Sequence, residues 1–222
     1  MSDQFSGELW DGISDIYGAI LAHPFLTGLT DGSLSQDAFA FYVVQDALYL
    51  RGYAQALAEV GGRAPDSRIT EIFARHAAGI VTVERQLHDS LLGSLGIDPA
   101  LVESAEPAPT TLAYVSYVLS SIRGGSFAEG VGTVLPCYWI YWEVGKTLER
   151  ATSPDPLYAR WIATYASDEF GDVVRAVLAA TDAVADRLRP AEREAMHRHV
   201  LTTTRYEWMF WDMGWRQEAW PV

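Results

Sequence analysis

Positive charge is scarce in this sequence. Its 222 residues include 16 lysines and arginines against 29 acidic residues, for a formal net charge of −13, and Lys146 is the only lysine. Proteins that bind nucleic acid or anionic membranes concentrate positive charge on the binding surface. We therefore expect neither nucleic acid nor a membrane among the partners of this protein.

Cysteine and long apolar runs are equally scarce. Cys137 is the only cysteine, which rules out a disulfide within the chain, and the first residues lack the basic and apolar regions of a signal peptide. The most apolar stretch, 39–50, is interrupted by Gln45 and Asp46. It is shorter than the roughly 20 residues that a membrane span needs. These features predict a cytoplasmic protein.

Helical spacing of apolar residues is the dominant pattern. Apolar residues make up 49% of the sequence, enough for one continuous core, and we expect a single domain over 1–222. No alternating strand pattern followed by a hairpin signal is present. The spacing and the capping residues predict an all-α bundle, with helices over 7–22, 36–62, 66–95, 109–123, 126–150, 155–182 and 190–217, and with a TDGSLS loop before the second helix.

Two acidic residues occupy positions where helical spacing predicts apolar ones. Asp46 lies in the stripe formed by Phe39, Val43, Asp46, Leu50, Tyr53 and Leu57, and Glu207 lies in the stripe formed by Met196, Val200, Thr203, Glu207 and Phe210. A buried carboxylate without a partner is costly. A single inward-facing acid is usually a structural hydrogen-bond acceptor, but two of them indicate a hydrated pocket or a compensating network.

Cys137 lies in a third helical seam, directly after Pro136. Proline cannot donate a backbone hydrogen bond, so we expect a kink there and an unpaired carbonyl at Gly132. A lone cysteine in a helical core usually acts as a small apolar residue. Tyrosines are frequent near the three positions, and the set comprises Tyr49, Tyr53, Tyr114, Tyr117, Tyr138, Tyr141 and Tyr165. Their hydroxyls, converging on an acid and a thiol, would suit a flat, nitrogen-rich ligand.

Metal binding receives little support from the sequence. The candidate ligands are His76, Glu84, His88, His197 and His199. A helical di-metal site normally needs paired Glu-x-x-His motifs, and none occurs. There is also no glycine-rich phosphate loop. We expect neither a metal nor a cofactor.

Five segments together resemble the thiaminase II family, which is also called TenA. They are HPFLTGLTDGSLSQDAF at 23–39, FYVVQDALYL at 41–50, LPCYWIYWEVG at 135–145, WIATYASDEF at 161–170 and YEWMFWDMGW at 206–215. The LPCYW-x-Y-x-EVG segment is the most specific of these. The resemblance implies a haem-oxygenase-like helical bundle that binds no haem and assembles as a homotetramer.

The resemblance also implies an activity. Members of this family hydrolyse 4-amino-5-aminomethyl-2-methylpyrimidine, a product of thiamin degradation, to the hydroxymethyl compound and ammonia, and many cleave thiamin itself. Matched position by position, it assigns the nucleophile to Cys137, the acid to Glu207, thiol-associated tyrosines to Tyr49 and Tyr114, and substrate contacts to Asp46, Tyr141 and Tyr165. The implied partner is thus a small aminopyrimidine or thiamin.

Two other functions remain open at this stage. One is an oxidase or oxygenase of the same helical superfamily, either without metal or with a di-iron centre to which His76, Glu84 and His88 contribute. The other is a pyrimidine-binding regulatory protein in which the pocket persists without turnover.

Overall fold

The computed structural model describes residues 4–87 and 91–222, except for the side chains at 81, 83–87, 99 and 101. The regular structure in these ranges is helical, and no strand occurs within them. The helices are α1 (Phe5–Asp11), α2 (Ser14–Leu21), α3 (Pro24–Asp31), α4 (Gln36–Gly62), α5 (Ser67–Leu87), α6 (Gly93–Leu95), α7 (Pro99–Ser104), α8 (Pro109–Gly124), α9 (Phe127–Ala151), α10 (Pro156–Ala166), α11 (Asp168–Ala185) and α12 (Pro190–Arg216).

Helices α4, α8, α9 and α12 match their predicted bounds closely, because a capping residue or a proline marks the start of each. The Ser35 hydroxyl accepts a hydrogen bond from the Ala38 amide at 3.2 Å and begins α4. Ser126 and Glu129 form a reciprocal capping box at the start of α9. The prediction of an all-α bundle is confirmed.

Two predicted helices are each divided in the structure. The helix predicted over 7–22 is divided at Gly12 and Ile13 into α1 and α2. The helix predicted over 155–182 is divided at Ser167, whose hydroxyl caps α11 by accepting from the Phe170 amide at 3.2 Å. The helix predicted over 66–95 is described as α5 up to Leu87 and as the short α6 from Gly93, and 88–90 lie outside the described residues. At Ser167, local capping overrides the longer apolar pattern.

Helices α3 and α7 were not predicted. Each begins with a proline that follows a capping side chain, a favourable start because proline has no amide hydrogen to leave unpaired. The Nδ1 atom of His23 accepts from the Phe25 amide at 3.1 Å, and Asp98 accepts from the Ala100 amide at 2.9 Å. A His-Pro or Asp-Pro pair thus starts a helix here as well as ending the preceding segment.

The core is formed where α9 packs against α4 and α12. A glycine allows α9 and α12 to approach closely, since a Cβ atom on Gly132 would lie 2.8 Å from Cγ of Met196 and 2.9 Å from its carbonyl oxygen. The inward faces of α4, α9 and α12 carry Asp46, Cys137 and Glu207 respectively. In the described part of the chain, no helix is both long enough and apolar enough to span a membrane.

Candidate active site

The three predicted polar positions meet inside the bundle. Asp46 and Glu207 are 5% and 1% exposed, so both acidic stripes face inward as predicted. Cys137, by contrast, is only partly buried.

Glu207 is held by a short hydrogen bond from Tyr114, whose hydroxyl donates to the Glu207 Oε1 atom at 2.5 Å. Burial raises the pKa of the Glu207 carboxyl to about 8, and the nearby Asp46 adds to this rise while the Tyr114 hydroxyl opposes it. The carboxyl is therefore largely protonated at neutral pH. A buried acid that holds its proton near pH 7 is suited to general acid catalysis.

Asp46 has no hydrogen-bond partner within the described part of the chain. Burial raises the pKa of its carboxyl to about 7, and no nearby donor counteracts this effect. A buried acceptor without a donor carries a desolvation cost that a ligand with an N–H group can relieve. Asp46 is accordingly the most evident point for a polar ligand to bind.

This burial leads to a prediction about stability. Because the native carboxyl of Asp46 holds its proton more tightly than the unfolded chain does, the free energy of unfolding should decrease as pH rises from about 4 to about 7. The variant Asp46→Asn cannot ionise, so its melting temperature should exceed that of the parent by about 5 °C at pH 8 and match it near pH 4. Thermal unfolding across this range measures the difference, and equal melting temperatures at pH 8 would contradict the assigned pKa.

Two tyrosine hydroxyls from α4 approach the thiol. The Tyr49 hydroxyl is buried without a well-formed hydrogen bond, but it lies near enough to Cys137 and to Tyr114 to lower the pKa of each. The Tyr53 hydroxyl donates to the carbonyl of Val134 at 2.7 Å and also lies beside the thiol. The family resemblance assigns no role to Tyr53, although its position seven residues after Asp46 places both on the same helical face.

The ionisation of the thiol is unfavourable in these surroundings. Burial, followed by the proximity of Glu207, raises the pKa of Cys137 well above its usual value, and the hydroxyls of Tyr49 and Tyr53 only partly oppose this. The thiol is therefore protonated at neutral pH. A reaction that uses its thiolate must provide a route by which the proton leaves.

One side of the site is an aromatic wall. The ring centroids of Tyr141 and Tyr165 are 4.8 Å apart, and Trp211 packs on Tyr141 at 5.1 Å. The Tyr42 and Tyr141 hydroxyls share a hydrogen bond of 2.9 Å. The half-buried Tyr165 lies within electrostatic range of all three polar groups. Together with Tyr49 and Tyr114, the structure thus brings all seven predicted site residues into one cluster.

Helix α9 approaches α10 closely at Gly145, and this close approach sets the position of Tyr165. A Cβ atom there would lie 2.6 Å from the carbonyl carbon of Tyr165 and 2.7 Å from the Ala166 nitrogen. We expect Gly145→Ala to displace Tyr165 and to raise the KM of the reaction proposed below about tenfold, since a small misplacement of a positioning group is costly.

The matched control for this variant is Gly18→Ala. Its added Cβ would meet nothing within 4 Å, so KM should not change. Kinetic measurements on both variants test the assignment. An unchanged KM in Gly145→Ala would show that α10 adjusts without moving Tyr165 relative to the ligand.

The remaining histidines do not converge. Nδ1 of His76 shares a hydrogen bond with the Tyr138 hydroxyl at 3.1 Å, and His199 is bonded to Tyr117, while His197 packs against Phe5. Among the described side chains, no group of three His, Cys, Asp or Glu residues could hold a metal ion. The Glu84 side chain and His88, considered above as metal ligands, lie outside the described residues.

These features define a class of protein: an all-helical bundle whose interior combines a lone thiol, two largely buried carboxyls and an aromatic wall. Comparison with known proteins makes the assignment specific. The model of the TENA/THI-4/PQQC family matches residues 10–217. The chain belongs to this family, which confirms the resemblance seen in the sequence.

Individual relatives cover nearly the whole chain. A protein of Halalkalibacterium halodurans named aminopyrimidine aminohydrolase is 36% identical over 97% of each chain. The solved structure of a TenA homologue from P. horikoshii OT3 is 28% identical, covers 96% of this chain and 99% of its own, and superimposes with a TM-score of 0.89.

A more distant structure confirms the fold. A domain with a heme oxygenase-like fold from Shewanella denitrificans, 17% identical, superimposes with a TM-score of 0.74 over 95% of this chain and 92% of its own. The helical bundle therefore has the predicted haem-oxygenase-like fold. At this level of identity the likeness concerns the fold alone.

Proposed function

We propose that this protein is an aminopyrimidine aminohydrolase of thiamin salvage, converting 4-amino-5-aminomethyl-2-methylpyrimidine and water to the hydroxymethyl compound and ammonia. The observation that carries the proposal is the protonated Glu207, bonded to Tyr114, beside a lone thiol and an aromatic wall. The name of the Halalkalibacterium relative supports the same reaction.

In the proposed complex, Asp46 holds the pyrimidine. Its unpartnered carboxyl accepts a hydrogen bond from the amino group on the ring, which relieves the cost of its burial. Tyr141 and Tyr165 stack against the flat ring. This arrangement directs the aminomethyl substituent towards Cys137 and Glu207.

Cys137 acts as the nucleophile in the proposed reaction. Loss of the thiol proton gives a thiolate, which adds to an electron-poor ring carbon and lets the ring expel the exocyclic amine as Glu207 gives it a proton. Water then adds to the exocyclic methylene group that remains, and the Glu207 carboxylate takes the proton of that water. Elimination of the thiolate restores the aromatic ring. Tyr49 stabilises the thiolate, and Tyr114 orients Glu207.

An ammonia-release assay on the aminopyrimidine, run beside thiamin, tests this function. Ammonia release that requires Cys137 supports the proposed function. Binding without any ammonia would instead indicate the regulatory pyrimidine-binding protein. Oxidation of the pyrimidine, together with bound iron detected by elemental analysis, would indicate the oxidase of the same superfamily.

We also propose that the chain forms a single domain and works as a homotetramer in the cytoplasm. Supporting observations are the alignment of relatives over the whole chain and the exposed apolar side chains Leu112, Met209, Trp215 and Trp220, which suit a subunit interface. Light scattering coupled to size exclusion measures the oligomer. A mass near 24.5 kDa, that of one chain, would contradict the tetramer.

A further inference from the structure

A polar connection runs outward from the thiol. Tyr138, the residue after Cys137, is 4% exposed, and its hydroxyl shares a hydrogen bond of 3.1 Å with Nδ1 of His76. His76 lies on α5 and is half-buried, so its ring reaches both the interior and solvent. The mechanism described above gives neither residue a role.

Tyr53 bridges the gap between Tyr138 and the thiol. The ring centroids of Tyr53 and Tyr138 are 5.8 Å apart, and the Tyr53 hydroxyl lies close enough to lower the pKa of both the Cys137 thiol and the Tyr138 hydroxyl. Helices α4, α9 and α5 thus place four polar groups in one row, from the buried thiol to the protein surface.

We propose that Tyr53, Tyr138 and His76 form a proton relay that connects the Cys137 thiol with solvent while substrate occupies the proposed site. The relay rests on the proposed function, because it supplies the exit for the thiol proton that thiolate formation requires. Without it, the proton would have to pass the bound substrate or be held by Glu207, which is already protonated.

The proton transfers balance along the row. The thiol proton passes to the Tyr53 oxygen as the Tyr53 proton passes to Tyr138, the Tyr138 proton passes to Nδ1 of His76, and the Nε2 proton leaves to water. The S–H bond is broken and no electrons are exchanged. Tyr53 donates to the Val134 carbonyl at 2.7 Å, so its hydroxyl must rotate towards Tyr138 during transfer, as hydroxyl groups can do.

His76 is suited to the outer end of this row. Burial, with a smaller contribution from the adjacent Arg75, lowers the pKa of His76 to about 4. The ring is thus neutral at pH 7, with one nitrogen free to accept while the other donates. The Tyr138 hydroxyl of α9 faces the His76 ring.

The chain contains a matched control for this arrangement. The Tyr117 hydroxyl and Nδ1 of His199 share a similar hydrogen bond, 2.9 Å long, between α8 and α12. His199 is also half-buried, and Nε2 of its ring lies 3.5 Å from Glu129. Among the described side chains, no hydroxyl contact links this pair to Cys137, so its variants report the general cost of losing a Tyr–His pair.

The experiment measures ammonia release by the full-length protein at pH 7. His76→Gln keeps an acceptor for Tyr138 but cannot shuttle a proton, and Tyr138→Phe removes the inner hydroxyl. Each should lower kcat about tenfold with little change in KM or melting temperature. In His76→Ala, imidazole in the medium should restore much of the lost kcat. Tyr117→Phe and His199→Gln should retain the parent kcat.

Three results would overturn the relay. They are a normal kcat in His76→Gln, a lower kcat in Tyr138→Phe without a lower kcat in His76→Gln, and a lower kcat in His76→Ala that imidazole does not restore. The proposed function fails separately. It would be refuted if the parent protein released no ammonia, or if release continued without Cys137. If ammonia release requires Cys137 but is normal in His76→Gln, the proposed function stands and only the relay is refuted.

Discussion

Cys137→Ser is expected to lower kcat for aminopyrimidine hydrolysis by about a thousandfold or more, because a serine hydroxyl ionises far less readily than a thiol and is a poorer nucleophile towards the ring. The fold should persist. The substitution is nearly isosteric, and the Tyr49 hydroxyl, which lacks a well-formed partner, lies beside the position and can bond to the new hydroxyl.

Three measurements separate loss of chemistry from loss of structure. Ammonia release gives kcat, calorimetry with the substrate gives Kd, and thermal unfolding gives the melting temperature. We expect only the first to change appreciably. Tyr49→Phe, which removes the hydroxyl beside the thiol but keeps the nucleophile, should cause a smaller loss. Near-normal hydrolysis by Cys137→Ser would mean that water attacks directly and that Cys137 is a packing residue.

Much of the fold and part of the site follow from the spacing of residues along single helices. Asp46 and Glu207 could be predicted to face inward because each interrupts an otherwise apolar stripe, and both are almost fully buried. The long helices could be bounded because residues such as Ser35 and Ser126 satisfy backbone amides that a helix start leaves unpaired. These are local signals.

Contacts between helices could not be predicted in the same way. Spacing shows which face of α12 carries Glu207, but not that Tyr114 of α8 lies opposite it at 2.5 Å. His76 illustrates the same limit, since its sequence context suggested only a metal ligand. Its structural partner is Tyr138, which is 62 positions away. Pairings of this kind depend on how helices pack, and packing is determined by the whole core.

Glu207→Gln is expected to lower kcat for the aminopyrimidine by about 10²- to 10⁴-fold, the usual contribution of a general acid. The glutamine amide cannot protonate the leaving amine, although its carbonyl still accepts from Tyr114 and preserves the local geometry. The kcat for thiamin should fall less. Its leaving group carries a positive charge on the ring nitrogen and departs as a neutral thiazole that needs no proton, so only activation of water is lost.

The pH dependence of kcat/KM gives an independent test of both carboxyls. Binding requires the ionised Asp46, whose pKa is about 7, and amine release requires the protonated Glu207, whose pKa is about 8. The rate constant should therefore rise through about pH 7 and fall through about pH 8. Because the two groups interact, the two limbs report the pair as a unit.

Glu207→Gln should remove the alkaline limb of this profile, and Asp46→Asn, its matched control, should remove the acidic limb and raise KM. Steady-state ammonia release between pH 5 and 10 measures both effects. If the alkaline limb persisted in Glu207→Gln, another group would be the acid. An equal loss for the aminopyrimidine and thiamin would assign Glu207 to water activation alone, because that step is common to both substrates whereas protonation of the leaving group is required only for the amine.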